Sequence, residues 1–280
     1  MKFLVYFIIA LSSLCFQDVF GQRTKNFPKV VEYVEDMPDP DKLWIFMMAG
    51  QSNMAGRGLV EPQDTVSNKR ILTIDKAGRW IYAKEPLHFN EPTLTGLDCG
   101  MSFARHLLDS IPNEIFIALI PCAVGNTSVE QWLENDTYRD VTLFSNFQKN
   151  VRLAEKSGEI KGILWHQGEA NAKADLISQY AENLERLMSK MRTTVDEPSL
   201  TILLAQLGSF AEPAEWQQQW DSINAILKDY TASHENTYLI HTQDLKSKDD
   251  HIHFDSDSQR EMGRRFARKF LEVSERNPKN

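Results

Sequence analysis

The sequence predicts an α/β protein, a three-layer sandwich in which a mostly parallel, five-stranded sheet lies between two layers of helices. Five short apolar runs lack the polar–apolar alternation of a sheet with one exposed face, so they are typical of strands covered on both sides. Stretches with apolar residues three and four apart separate these runs. Strands that alternate with helices pair in parallel through right-handed crossovers.

The predicted strands cover residues 43–49, 115–123, 162–165, 200–207 and 237–242. Between the first two, Ala77 and Gly78 separate two apolar-containing runs, and we expect residues 71–89 to form a hairpin that decorates the sheet. No internal repeat or Pro/Gly-rich linker interrupts the chain. One domain therefore accounts for residues 22–280.

Two helices carry clear apolar stripes. One stripe runs through residues 177–191 and the other through residues 262–271. Ser258, with Glu261 three residues later, predicts a capping box at the start of the last helix. Both helices are long enough to cover the sheet.

Residues 1–21 have the layout of an export signal. Lys2 precedes the apolar run 3–16, and Val19 and Gly21 occupy the −3 and −1 positions of a cleavage site before Gln22. The alternative is a membrane-anchoring helix, but the run is shorter than the ~20 apolar residues that span a bilayer. We therefore expect a secreted or periplasmic protein with no membrane association after signal removal.

The composition excludes some partners and leaves other properties open. Among 280 residues, 31 Lys and Arg oppose 39 Asp and Glu, a net charge of −8, and no basic block offsets the excess of acid. A nucleic-acid-binding surface is therefore not expected. Cys99 and Cys122 could form a disulfide or remain buried thiols, since spacing alone does not place their Cβ atoms together. The oligomeric state cannot be read from the sequence.

Four predicted strands are followed by polar runs suited to chemistry. In an open parallel sheet, ligands bind beyond the carboxyl ends of the strands. The runs are GQSNMAG at residues 50–56, PCAVGNTS at 121–128, HQGE at 166–169 and DHIHF at 250–254.

Ser52 is a candidate nucleophile. It lies two residues after a glycine that ends a strand, where a tight turn can present its hydroxyl to the crevice; the alternative is a helix N-cap. Asp250 and His253 are spaced so that the carboxylate can orient an imidazole that accepts the serine proton. Asp249 and His251 could take these roles in a shifted register.

An oxyanion formed at this serine needs hydrogen-bond donors. The Gly125 backbone N–H and the Gln167 side-chain amide are candidates, although a glutamine more often satisfies a loop carbonyl. Glu169 is either a second acid that orients the histidine or the ion-pair partner of an arginine such as Arg57.

Taken together, the four runs resemble the sialate O-acetylesterase-like group of the SGNH hydrolases, akin to carbohydrate esterase family 6. The resemblance extends from about residue 43 to the C-terminal helix, and EPLHF at 85–89 and SFAR at 102–105 add to it. It implies a flavodoxin-like sheet and a serine esterase that removes O-acetyl groups from carbohydrate through an acyl-enzyme, with no metal or organic cofactor.

Carried over to this chain, the resemblance implies that Ser52 is the nucleophile, His253 the general base and Asp250 its orienting acid. The backbone N–H groups of Ser52 and Gly125 and the side chain of Gln167 would form the oxyanion hole.

The family pattern leaves three points open. Glu169 could replace or assist Asp250, and Asn126 stands where a second glycine is expected. The substrate, acetylated polysaccharide such as xylan or O-acetyl sialic acid, depends on loops that we expect at residues 61–68, 84–97 and 208–219.

Two other interpretations compete with the serine esterase. His251, His253 and Asp255 have the H-x-H-x-D spacing of a metal-dependent hydrolase, although little sequence remains to supply further ligands. The second alternative is a non-catalytic carbohydrate-binding protein on the same fold, for which exposed tryptophans would stack on sugars. The candidates for that role are Trp132, Trp165 and Trp216.

Overall fold

The structure is a computed structural model that describes residues 27–276. The predicted export signal lies outside the described residues. Within them, none of the helices has the length and apolar composition needed to cross a bilayer.

A seven-stranded sheet forms the centre of the molecule, in the spatial order β3-β2-β4-β1-β7-β8-β9. All neighbours pair in parallel except the antiparallel β2 and β3. Two further short strands, β5 and β6, form a separate hairpin. The strands are β1 (Leu43–Gly50), β2 (Ile71–Ile74), β3 (Trp80–Tyr82), β4 (Phe116–Pro121), β5 (Thr137–Tyr138), β6 (Val141–Thr142), β7 (Glu159–His166), β8 (Thr201–Ala205) and β9 (Thr237–Ile240).

The prediction of a mostly parallel sheet is confirmed, but its strand number is seven rather than five. The five predicted strands are β1, β4, β7, β8 and β9. The two additional strands come from the predicted hairpin: β2 pairs in parallel with β4, so the hairpin extends the sheet edge instead of lying outside it.

Helices cover both faces of the sheet. They are α1 (Ser52–Ala55), α2 (Gly100–Leu108), α3 (Val129–Glu134), α4 (Leu143–Ala154), α5 (Ala174–Val195), α6 (Ala214–Ser233) and α7 (Ser256–Arg276). In β1, Ile45 and Met47 pack into a core with α3, α4, α5 and α6, while Phe46 and Met48 pack into a second core with α2 and α7. Because both faces are buried, β1 shows no polar–apolar alternation.

The predicted helical stripes are confirmed, whereas the capping box is wrong. Buried residues of α5 include Tyr180, Leu184 and Met191. Helix α7 begins at Ser256, two residues before the predicted cap, and Asp255 Oδ1 accepts the Ser258 N–H at 2.8 Å. The Ser258 hydroxyl instead accepts the backbone N–H of Lys246 at 2.8 Å, so it ties α7 to the preceding loop.

Cys99 and Cys122 are both free and buried thiols. The Cys99 sulfur lies 3.9 Å from the sulfur of Met54, and Asn150 Nδ2 is 3.4 Å from the Cys122 sulfur. Burial raises the pKa of Cys122 to about 12, which keeps it protonated and unreactive at neutral pH.

Candidate active site

A cavity of about 500 Å³ opens at the carboxyl ends of the strands. Strand β1 lies between β4 and β7, so the loops that follow these three strands meet there. The lining includes residues from all four sequence runs and from α6, namely Ser52, Gly125, Glu169, Asp250, His253 and Trp216.

Gly50 sets the turn that presents Ser52. Its φ is +133°, and a Cβ there would lie only 2.1 Å from the His166 carbonyl oxygen, so glycine lets β1 and β7 end side by side. Ser52 then begins α1, with Gln51 at the N-cap position, so Ser52 does not cap the helix. The serine side chain lines the cavity although the residue is buried.

The Ser52 hydroxyl, the His253 ring and the Asp250 carboxylate form one hydrogen-bonded chain. Ser52 Oγ lies 3.0 Å from His253 Nε2, and His253 Nδ1 lies 2.9 Å from Asp250 Oδ2. A carboxylate only accepts, so Nδ1 carries the proton and Nε2 is left to accept from the serine. This arrangement suits an imidazole that acts as a general base toward the serine.

Asp250 is held as a carboxylate. Partial burial raises its pKa, but hydrogen bonds from the His253 ring and from the backbone N–H groups of His253 and Ile252 outweigh burial and hold the pKa far below its ordinary value. Among the described residues, the His253 ring bonds to Asp250 and Ser52, whereas Glu169 accepts from Asn53. The shifted register fails too, because the His251 ring lies 3.6 Å from Glu212 Oε1.

Neither donor that the sequence predicted beside Ser52 is available in the structure. The Gly125 N–H donates to Glu91 Oε2 at 2.7 Å. The Gln167 amide is fully buried, and its Nε2 donates to Thr127 O at 3.1 Å and Asn171 Oδ1 at 2.7 Å. The prediction of these two donors is therefore corrected: both bind protein acceptors that packing brings to them.

Gln51 offers a replacement donor that the sequence interpretation missed. Its Oε1 accepts the Ala170 N–H at 3.1 Å and the Gly168 N–H at 3.5 Å. These contacts fix the amide so that Nε2 is the group left to donate, on a residue that lines the cavity beside Ser52. The Ser52 N–H itself lies in the first turn of α1, where N–H groups have no partner within the helix.

Glu169 has a structural partner, Asn53. Asn53 Nδ2 donates to Glu169 Oε1 at 2.6 Å and to Ile252 O at 3.2 Å. Asn53 is fully buried, so its amide joins the serine turn to the histidine loop. In the sequence, Asn53 stands out only by its position inside the GQSNMAG run. Its hydrogen-bond partners lie more than 100 residues away along the chain, so the sequence does not indicate them.

Arg57 forms an ion pair with Glu91. Arg57 Nη2 lies 3.0 Å from both oxygens of the Glu91 carboxylate, both side chains are buried, and Arg139 also binds Glu91. A Cβ at Gly125 would lie 2.2 Å from Arg57 Nη2, so a side chain at 125 would displace this ion pair. The next residue, Asn126, has a φ of 60°, a conformation that asparagine adopts more readily than most residues and that explains how it replaces the expected glycine.

The H-x-H-x-D residues do not converge on one point. His251 faces Glu212, His253 faces Ser52 and Asp250, and Asp255 accepts the Ser258 N–H. From residue 27 to 276, no group of three or more His, Cys, Asp or Glu side chains is arranged to hold a metal ion. The side-chain geometry therefore does not fit the metal-hydrolase interpretation.

The three candidate sugar-stacking tryptophans differ in exposure. Trp132 and Trp165 are fully buried and pack against each other, with ring centroids 5.6 Å apart. Trp216 is 48% exposed and lines the cavity. Of the three, only Trp216 is placed to contact a sugar.

Comparison with known proteins decides the family. The sequence model of the family described as "carbohydrate esterase, sialic acid-specific acetylesterase" matches residues 42–272. The chain belongs to this family. It is therefore a carboxylic ester hydrolase.

Several relatives of this carbohydrate esterase share its fold. A probable carbohydrate esterase of Arabidopsis thaliana is 28% identical over 250 residues, which cover 81% of this chain and 90% of that protein. A crystal structure of the Arabidopsis protein gives a TM-score of 0.72 at 27% identity and covers 82% of this chain and 98% of that one. NanS gives a TM-score of 0.69 at 17% identity and covers 86% and 100% of the two chains.

The wider fold is that of the SGNH hydrolases. A carbohydrate acetylesterase from Xanthomonas citri has a TM-score of 0.56 at 20% identity and covers 81% of this chain and 55% of its own. The lipase/acylhydrolase from Enterococcus faecalis has a TM-score of 0.50 at 16% identity, covering 82% of this chain and 96% of that one.

Proposed function

We propose that this carbohydrate esterase is a serine enzyme that removes O-acetyl groups from carbohydrate through an acyl-enzyme intermediate. The observation that carries the proposal is the chain of contacts from Ser52 Oγ through the His253 ring to Asp250, with separations of 3.0 Å and 2.9 Å. A serine hydroxyl needs such a base because its proton is held too tightly at neutral pH.

The reaction follows from this geometry. Ser52 Oγ attacks the acetyl carbonyl carbon while its proton passes to His253 Nε2, and the C=O electron pair moves onto oxygen. The tetrahedral intermediate collapses as the sugar alcohol leaves with the proton from His253. Water, deprotonated by His253, then attacks the acyl carbon of the acyl-enzyme. The second tetrahedral intermediate collapses as His253 returns the proton to Ser52 Oγ, and the acid that is released ionises to acetate.

Charge on the carbonyl oxygen is stabilised by the Ser52 backbone N–H and the Gln51 side-chain Nε2. Each such donor lowers the barrier by about 3 kcal/mol. Asp250 remains ionised throughout and stabilises the imidazolium that forms at His253.

The substrate class is acetylated carbohydrate, either a polysaccharide such as xylan or O-acetyl sialic acid. Support comes from the family of carbohydrate esterases and from Trp216, whose exposed ring at the cavity edge suits stacking on a sugar. Arg139 and Lys173 line the same cavity, and their positive charges suit an acidic sugar such as sialic acid.

The first 21 residues support export of a single-domain mature enzyme, residues 22–280, to a secreted or periplasmic location. The N-terminal sequence of the mature protein tests this assignment. We expect it to begin at Gln22.

Ser52→Ala tests the catalytic proposal. We expect the purified wild-type protein to release acetate from 4-nitrophenyl acetate and from at least one of acetylxylan and O-acetyl sialic acid. The kcat of Ser52→Ala should be at least about 10³-fold lower than that of wild type. Its circular dichroism spectrum and Tm should stay close to those of wild type. A fluorophosphonate should label Ser52, as read by peptide mass spectrometry, and the label should be absent from the variant.

Ser102→Ala is the matched control, because Ser102 is a partly buried serine whose hydroxyl donates to Arg260 O at 2.6 Å. It should keep both activity and labelling. An active Ser52→Ala protein, or a fluorophosphonate attached elsewhere, would overturn the serine mechanism.

A further inference from the structure

Lys248 contacts the same carboxylate oxygen that orients His253. Its Nζ lies 3.2 Å from Asp250 Oδ2, the atom that accepts the His253 Nδ1 proton at 2.9 Å. The ammonium also donates to the backbone oxygen of Arg57 at 3.2 Å. One side chain therefore joins the acid of the site to the segment that follows the Ser52 helix.

The backbone fixes Lys248 close to the histidine. Its N–H donates to the His253 carbonyl oxygen at 2.8 Å, and Ser247 forms a bridge with Phe254. These contacts close a tight loop that contains Lys248, Asp250 and His253. The Lys248 side chain is largely buried, at 19% exposure, which lessens the screening of its charge by solvent.

The other charged or titratable groups around this loop come from several elements. His251, on the same loop, faces Glu212. Glu169 and His166 belong to the end of β7 and the loop after it, and burial lowers the pKa of His166, which keeps that ring neutral. Across the cavity, Arg57 and Arg139 share Glu91. Among the ion pairs of residues 27–276, Asp250 pairs with Lys248 and with His253.

We propose that Lys248 is a positioning residue that holds the Asp250 carboxylate and sets the pH range in which His253 works as a base. The inference rests on the proposed serine mechanism. Asp250 stabilises the imidazolium form of His253, and the Lys248 ammonium on the same oxygen offsets part of that stabilisation.

The test is the pH dependence of kcat/KM for 4-nitrophenyl acetate in wild type, Lys248→Met, Lys248→Gln and Lys248→Arg. Removing the ammonium should move the midpoint of the acid limb upward by about half to one pH unit. It should also lower kcat at the optimum by about 10-fold, because Asp250 loses one of its restraints. Lys248→Arg keeps the charge and should leave the midpoint within about 0.2 pH units of wild type.

Lys246→Met is the matched control, because Lys246 is a lysine of the same loop and no ion pair of the described residues includes its side chain. Its profile should overlay that of wild type.

The outcomes separate this inference from the proposed function. If Ser52→Ala stays active, the serine mechanism fails and the inference fails with it. If Ser52→Ala is inactive but folded Lys248→Met and Lys248→Gln keep the wild-type acid limb, Lys248 has a structural role alone and only the inference is overturned. Thermal melts show which variants are folded. A shifted acid limb in folded Lys248→Arg, which preserves the charge, also contradicts the proposal.

Discussion

The side-chain oxygen of Asn53 accepts a hydrogen bond from the backbone N–H of Phe254 at 3.1 Å, across 201 positions of sequence. The same amide donates to Glu169 and to the carbonyl of Ile252. Asn53 follows Ser52 and Phe254 follows His253, so this one side chain holds the two halves of the proposed catalytic pair in register.

Asn53→Ala should therefore damage both stability and catalysis. We expect a loss of about 1–3 kcal/mol in the free energy of unfolding from the buried groups left unpaired. Misplacement of His253 should lower kcat by about 10- to 100-fold. Urea denaturation and steady-state kinetics measure the two effects. Asn183→Ala is the control, because Asn183 is a buried asparagine bonded to Glu130; it should lose stability but keep kcat. Normal kcat in Asn53→Ala would contradict this role.

His253→Ala and His251→Ala should differ sharply. His253→Ala removes the base and should lower kcat by at least about 10³-fold. His251→Ala removes a partly exposed ring that faces Glu212 and should stay within about 3-fold of wild type. Initial rates with and without EDTA measure both effects. Equal losses in the two variants, together with inhibition by EDTA, would instead favour the H-x-H-x-D metal site.

Gln51→Glu, compared with Gln167→Leu, should show which of the two glutamines donates to the oxyanion. The substitution keeps a side-chain oxygen for the Ala170 and Gly168 N–H groups and removes the Nε2 donor. We expect kcat to fall by about 10²- to 10³-fold with little change in KM. Gln167→Leu should mainly lower Tm, because its amide serves Thr127 and Asn171. A large loss of kcat in folded Gln167→Leu, with normal kcat in Gln51→Glu, would reassign the donor.

Trp216→Ala should affect large substrates more than small ones. The exposed ring at the cavity edge provides area for a sugar but is not needed to bind an acetyl group. We expect KM for an acetylated oligosaccharide to rise by about 5-fold, in line with about 1 kcal/mol of stacking energy. The KM for 4-nitrophenyl acetate serves as the internal control and should not change. Equal KM values for the oligosaccharide in both proteins would remove Trp216 from the substrate site.

Glu85→Gln should change how stability depends on pH. Burial raises the pKa of Glu85 well above its ordinary value of 4.5, and the neighbouring Asp98 raises it further. The folded protein then holds a proton that the unfolded chain releases above about pH 4.5, so stability falls as pH rises through this window. The isosteric amide removes that proton uptake. Between pH 5 and pH 8, the Tm of Glu85→Gln should therefore fall less than the Tm of wild type.

Glu35→Gln is the control for this pH series, because Glu35 is exposed, and its profile should match wild type. If Glu85→Gln and wild type lose stability in parallel over the range, Glu85 is not the group that takes up the proton on folding.

The architecture could be predicted because its causes are local. Short apolar runs without alternation indicate strands buried on both faces, and β1 shows the reason, since Phe46 and Met47 point into different cores. The strand number was wrong because the hairpin strands are only four and three residues long, and their place in the sheet depends on the pairing of Ile71 and Leu72 with β4. Pairing between distant segments leaves no short-range pattern.

The capping box failed for a related reason. Ser258 and Glu261 have the right spacing, but spacing does not say where the preceding loop lies. The Asp255 carboxylate accepts the hydrogen bond from the Ser258 N–H, so the helix begins before Ser258.

At the site, the sequence alone determined which residues follow each strand, and parallel pairing carries Ser52, Asp250 and His253 to the same end of the sheet. Tertiary structure alone decided which donors remain free there. Glu91 reaches the Gly125 N–H, and Thr127 and Asn171 take the Gln167 amide, which leaves Gln51. A buried donor binds the nearest acceptor, and which acceptor is nearest is fixed by packing between segments that are remote in sequence.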